Sequence, residues 1–509
     1  MSTAISSNRV SKIVGYKIIK GNFRNATPNL PHRIAVLAEA NTANQSGLDL
    51  NGVEVTSAKQ AADLYGYGSP AHQALRILKP LSGGGVGSIP IKVYPQAEEG
   101  GAAAKVIDVT PTGTATGNAT HVVIINGRTG IDGEAYTFNV ETGDTEAVIS
   151  QKISDAVNAV LSSPMIGSVD VTPDRAVVTA KWKGITSDDV TVTIDTQDNP
   201  VGVVYASASF ASGSGLPAVT PALGKFGNEW NTIVLNSYGT DSTVMDELEA
   251  FNGIADQIAP TGRYSADVFK PFVALTGTTD SDLAALKVIG NARKIQMTIA
   301  LCVAPNSLSL PLEVAANMAE KFAIVAQDFP QLDVQDQIYR DLHVPATTIG
   351  DMENSDDRDL LVKAGVSTVQ KIDGEFVITD FVSTYHPDGE LPPQFRYPRN
   401  LNIDWNIRYG ELLIVQTYVI GKAIAPDNQI VGAVEVIKPS GFKQVMFSYA
   451  VDLANRALIA DASFMQESIV VEIDDTNPDR LNSEFSYKRT GYARIVSTDA
   501  TAGFNFGNS

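Results

Sequence analysis

From residue 33 onward, short unbroken apolar runs alternate with stretches whose apolar residues recur every three to four positions. That is the pattern of strands buried on both faces alternating with one-sided helices. A strand is expected at 34–37. A helix follows after Ser57, where Gln60 three residues on gives a capping box and Gly66 and Gly68 supply the stop. A second helix starts at Ser69 with Pro70 in its first position and Ala71, Ala74, Leu75 and Leu78 on one face, and a strand at 91–94 completes the crossover of a layered α/β core.

Between 97 and 224 the pattern shifts to Thr, Val, Gly and Ala, with alternating strands expected at 121–126, 135–140, 176–182 and 190–194 around a helix at 145–161. The flanks EEGGAAAK and ASASFASGSGLPAVTPALGK read as small-residue linkers, so a β-rich (α+β) domain is inserted into the core. The core pattern then resumes: strands at 232–235, 272–275 and 295–303, and helices at 242–258, 280–292 and 311–327, the last with Val314, Met318, Phe322 and Val325 facing inward. Residues 357–385 predict a short helix, a glycine stop and two strands around an Asp-Gly turn.

An apolar stretch at 401–424 precedes a helix at 441–460 carrying Phe442, Val445, Met446, Tyr449 and Leu453. Strands are expected at 468–473 and 492–497, and one more at 13–19 inside an otherwise polar N-terminal segment. The resulting map is an arm at 1–30, core at 31–96, insertion at 97–224, core at 225–400, a C-terminal domain at 401–492 and a second arm at 493–509. The fold class expected is α/β, with strand-bearing arms at both ends.

The 509 residues, 44% of them hydrophobic, suffice for several buried cores. No apolar run approaches the roughly 20 residues of a membrane helix, and the start lacks the layout of a secretory signal, so folding in a cytosol without membrane insertion is expected. A net charge of −19 opposes direct contact with nucleic acid, whose binding depends on clustered Lys and Arg. Cys302, the single cysteine, lies in an apolar run and reads as core filler.

Motifs that carry chemistry are missing. The glycine run 83–87 leads into a strand and has no GxGxxG spacing, and no P-loop or GxSxG occurs. His32, His72, His121, His343 and His386 show no paired ligand spacing, and the acidic run 351–359 fits a helix start better than a calcium loop. No catalytic, cofactor or metal site is expected.

Several segments resemble, in order, the contractile tail sheath proteins of bacteriophages and related injection machines. They are GYKIIKGNFRNATPNLPHRIAVLAE, VTSAKQAADLYGYGSPAHQALRIL, FGNEWNTIVLNSYGTDSTVMDELEAF, SLSLPLEVAANMAE and DRDLLVKAGVSTVQKIDGEFVITDFVSTY. The insertion resembles small β domains of many phage sheaths, although the simplest members lack it.

The resemblance implies a non-enzymatic subunit of hexameric rings stacked around an inner tail tube, contracting to drive that tube through a bacterial envelope for genome ejection. The partners it implies are the chain itself, the inner tail tube protein, and baseplate and tail terminator proteins, in a virion tail assembled in the host cytoplasm. It implies arms that add strands to neighbouring subunits: Ile13, Val14, Tyr16, Ile18 and Ile19 at one end, Ala493, Ile495 and Val496 at the other. Pairing of both ends within their own subunit is the competing reading of those residues. The resemblance also implies a late helix against the tube, with Lys443, Asp452, Asn455 and Arg456 off its apolar stripe. Two rival functions stand beside it: a soluble α/β enzyme with a β-rich lid, and an adhesin.

Overall fold

The computed structural model describes residues 27–255, 259–390 and 393–504, and the chain divides into two compact units. The larger comprises residues 30–408 and 489–509, and the smaller comprises 409–488 with the N-terminal residues up to Asn29.

The larger unit is built on a sheet whose spatial order is Ile299–Val303, Val273–Thr278, Ile233–Asn236, Ile34–Glu39, Ile91–Gln96 and Val53–Glu54. All are parallel except the last, and Ile34 stands between Ile233 and Ile91 in register. Ile34–Glu39, Ile233–Asn236 and Val273–Thr278 are buried at every position, which is why they read as unbroken apolar runs. Both sheet edges are blunted. Val53–Glu54 is only two residues long, and along Ile299–Val303 the amides of Ser367 and Thr384 donate to Leu301 and Ile299.

Local chemistry sets the helix starts. Ser57 and Ser69 accept from the amides of Gln60 and His72, and Asp241 and Asp282 cap their helices in the same way. The helix Pro311–Asp328 lies on Ile233–Asn236 and Val273–Thr278, and a Cβ at Gly277 would stand 1.8 Å from the Pro311 carbonyl oxygen, so only glycine permits that approach. The helix Ser242–Asn252 is shorter than expected because Gly253, at φ +77°, ends it.

Residues 97–224 carry two larger antiparallel sheets, the short pair Gly130–Ile131/Glu134–Ala135 and one long helix. Val204–Ala211, Val106–Thr112, Asp174–Ala180 and Met165–Val171 form one sheet; Val192–Asp195, Ala119–Ile125 and Thr137–Val140 form the other; Glu146–Ala159 packs against both. Val204–Ala211 corrects the reading of its Ala/Ser sequence as linker, because pairing with Val106–Thr112 makes it a strand.

The segment after Ser355 forms as expected: a helix Ser355–Lys363, Gly365 at φ +76°, and the hairpin Thr368–Ile372/Glu375–Asp380. Asp373 and Gly374 both have positive φ, which matches the twist a two-residue hairpin requires. The apolar stretch at 401–424 is mostly the helix Pro398–Tyr418, along which the boundary between the units falls. The smaller unit holds the helices Pro439–Asn455 and Ala462–Ser468 and the hairpin Val470–Ile473/Leu481–Glu484.

Candidate assembly site

The strand expected at 492–497 does not form; residues 491–504 have neither helix nor strand. What holds the start of this segment is charge. Arg489 meets Asp404 through two 2.6 Å hydrogen bonds, and Arg399 donates to the Thr490 carbonyl at 3.0 Å with its guanidinium 5.5 Å from the Tyr492 ring.

Arg494 ion-pairs with Asp333, lies 3.5 Å from Asp380, and stacks 3.8 Å over the Tyr397 ring. Burial lowers its pKa to about 10. Ala493 just before it is exposed, and beyond it the chain turns outward: Ile495 and Val496 are 90% and 85% exposed. Adjacent branched residues left in water without a ladder have strand-forming side chains and no strand partner.

In the smaller unit, the hairpin Val470–Ile473/Leu481–Glu484 pairs with no third strand among the described residues. Its turn is set by Asp474, which accepts from the Thr476 hydroxyl at 2.8 Å and from the amides of Thr476 and Asn477 at 3.0 Å; these bonds, the hydroxyl's foremost, hold its carboxyl well below the ordinary range. Two strands alone are marginal in water, and Val470 is half exposed.

The helix Pro439–Asn455 buries Phe442, Met446, Tyr449 and Leu453 of the expected stripe, leaves Val445 half-buried, and ends at Asn455 because Arg456 and Ala457 leave helical geometry. Of the four residues proposed to face a tube, Asn455 is exposed and Lys443 lies 5.6 Å from the Phe447 ring. Asp452 accepts from the Thr27 amide at 3.2 Å, while Arg456 bonds Asn29 and pairs with Asp452 at 3.6 Å. Two of the four are thus engaged in holding residues 27–29. Ile13, Val14, Tyr16, Ile18 and Ile19 lie outside the described residues.

Sequence reading missed the polar joint between insertion and core. Arg128 pairs with Glu313 at 2.8 Å, and Arg76 with Asp132 at 2.7 Å. The buried Trp182 indole donates to Thr186, whose hydroxyl donates to Glu39 at 3.0 Å. Gly68 completes the joint: a Cβ there would be 2.0 Å from the Ser163 carbonyl oxygen. No local signal marks the pairs that cross this joint, because each joins residues far apart in the chain.

The histidines serve the fold. His32 meets Thr232 at 2.9 Å, His72 accepts from the Gly68 amide at 3.0 Å, and burial lowers both to about 4. His121 lies between Tyr205 and the Asn199 carbonyl, His343 accepts from the Leu308 amide, and His386 meets the Thr384 carbonyl. Cys302 is fully buried, and burial pushes its thiol far up. Among the described residues no three His, Cys, Asp or Glu side chains gather as a metal site, and no helix is long and apolar enough to cross a membrane.

No family model matches the chain. A tail sheath protein of the Mu-like prophage FluMu from Haemophilus influenzae is 22% identical over 462 residues, covering 89% of each chain. Among solved structures, a sheath tail protein from Desulfitobacterium hafniense aligns at 14% identity with a TM-score of 0.44, covering 92% of this chain and 100% of that one. A chain of the anti-feeding prophage baseplate aligns at 11% identity with a TM-score of 0.46, covering 97% and 100%. Over nearly nine-tenths of its length the chain is therefore similar to a phage tail sheath protein, and the resemblance to that family read from its sequence holds.

Proposed function

We propose that this chain is the structural subunit of a contractile phage tail sheath. Copies assemble as stacked hexameric rings around an inner tail tube, bounded by baseplate and tail terminator proteins, and contraction drives the tube through the bacterial envelope to eject the genome. The work is done by the lattice and not by catalysis. In this reading the chain folds in the host cytoplasm and ends in the virion tail.

The observation that carries the reading is the similarity to a tail sheath protein over 89% of both chains. Supporting it, the segment with Ala493, Ile495 and Val496 has exposed strand-forming side chains and no ladder among the described residues, while the hairpin Val470–Ile473/Leu481–Glu484 is a sheet short of strands. In the assembly, residues 495–498 of one copy add to that hairpin on a neighbour, and Ile13–Ile19 of another copy serves the same purpose at the other end. A strand with about five backbone hydrogen bonds at roughly 1 kcal/mol each contributes on the order of 5 kcal/mol per arm, enough for a link that persists while subunits move. The blunted edges of the core sheet, one a two-residue strand and the other bonded by the Ser367 and Thr384 amides, favour the hairpin as the acceptor. Lys443 and Asn455, with Asp452 and Arg456 at the end of the same helix, form the tube-facing surface, and the insertion faces outward.

Negative-stain imaging of the purified chain tests this: rings or tubes are expected. A population that stays as compact monomers at all concentrations and salt conditions would refute it.

A further inference from the structure

We infer that Arg494 is the pivot of the C-terminal arm: a positioning residue that clamps the arm's root to its own subunit, so that a neighbour's pull on the arm reaches the core at this point. The inference rests on the sheath reading above and adds where force enters the fold.

The observation behind it is an abrupt change along the chain. The Arg494 side chain is 14% exposed, and the next residue is 90% exposed. Its partners come from three separate places: Asp333 after the helix Pro311–Asp328, Asp380 at the end of Glu375–Asp380, and Tyr397 just before Pro398–Tyr418. One guanidinium therefore ties together three parts of the larger unit that are remote in sequence. A planar, delocalised cation suits this task, since it bonds carboxylates through its edge while its face lies on the ring.

The clamp is also hard to release. The Asp333 side chain is only 2% exposed, so departure of Arg494 leaves a carboxylate in a dry site without its cation. Exposed ion pairs are weak because water replaces the partner at little cost, and that replacement is denied here. Behind Arg494, the Arg489–Asp404 and Arg399–Tyr492 contacts form a second line of attachment. A load applied beyond Ile495 meets Arg494 first.

The test uses the full-length chain with Arg494→Ala and Arg494→Lys. Hydrogen exchange at amides 490–494 is read against the helix Pro311–Asp328, together with the yield and length of assembled tubes. Loss of the clamp should speed exchange at 490–494 by about tenfold or more while the helix is unchanged, because the opening becomes local. Tube yield should fall in parallel. Lysine keeps the charge but loses the stacked plane, so it should restore only part of both.

Unchanged exchange in Arg494→Ala would show that no clamp exists. Faster exchange with wild-type tube yield and length would show that the clamp carries no load, and this too overturns the inference. Failure of the wild-type chain to assemble would instead refute the sheath reading, and it is visible without any variant. Should Arg494→Ala not fold, Tyr397→Leu keeps both ion pairs and removes only the ring: intermediate acceleration supports the clamp, and none overturns it.

Discussion

Glu39 ends its strand fully buried, beside Thr186 and Tyr238 and with the carboxylate of Glu98 as a charged neighbour, and burial pushes its carboxyl up from the ordinary 4.5 to about 7. A carboxyl that holds its proton more tightly in the folded state stabilises the fold at low pH. That contribution is complete below the unfolded value and is lost as pH rises through 7. Glu39→Gln stays neutral, so between pH 4.5 and 8 the wild type should lose about 3 kcal/mol relative to the variant. Urea titrations at both pH values check this, and an equal pH response in the two proteins would count against it.

Arg128 gives a second prediction at this scale. Glu313 has a side chain that is 0% exposed, and it also accepts from the Leu310 amide at 2.9 Å. Arg128→Ala leaves that carboxylate unpaired, with an expected loss of about 3–5 kcal/mol, read from thermal or urea unfolding. The sequence announced neither residue. Glu39 reads as the polar end of an apolar strand, and Arg128 as a turn residue in Gly-Arg-Thr-Gly.

At the scale of elements, the parts that formed as expected are those with local causes. Ser57 and Ser69 cap helices because a side-chain oxygen reaches an amide three residues on, and Asp373-Gly374 turns a hairpin because both residues take positive φ. Val204–Ala211 and residues 492–497 went opposite ways for one reason: the first has Val106–Thr112 alongside, and the second has no strand beside it among the described residues. Gly277→Ala should destabilise the chain by about 3 kcal/mol or more, seen as a lowered melting temperature, because the new methyl meets the Pro311 backbone carbonyl and not a movable side chain. Truncation after Arg494 should leave the melting temperature of the monomer within about 2 °C, since the described residues it removes, 495–504, are exposed, and should abolish tube formation. Loss of the monomer fold would show that the tail belongs to its own subunit.

At the scale of the whole molecule, the charge of −19 sets the conditions of assembly. Like-charged copies repel, and the repulsion is screened beyond about 10 Å at 0.1 M salt but reaches about 30 Å at 0.01 M. The concentration at which tubes appear in sedimentation should therefore fall several-fold between the lower salt and the higher, while an assembly held by surface ion pairs would respond in the opposite sense. The insertion's joint to the core has the opposite character: paired charges, among them the fully buried Glu313, where salt screens little.

Periodicity and caps operate within about ten residues, so the sequence by itself determined the strand–helix alternation, the helix starts, the Asp-Gly hairpin and the division of apolar from polar faces. It also carried the family resemblance, because that lies in segments read one after another. Only the tertiary structure decided which strands find partners, which charges are buried together and where the apolar tail leaves the surface. Arg494 and Asp333 are separated by 161 residues, and Arg128 and Glu313 by a comparable span. Contacts of that kind arise from the path of the whole chain, which no local pattern encodes.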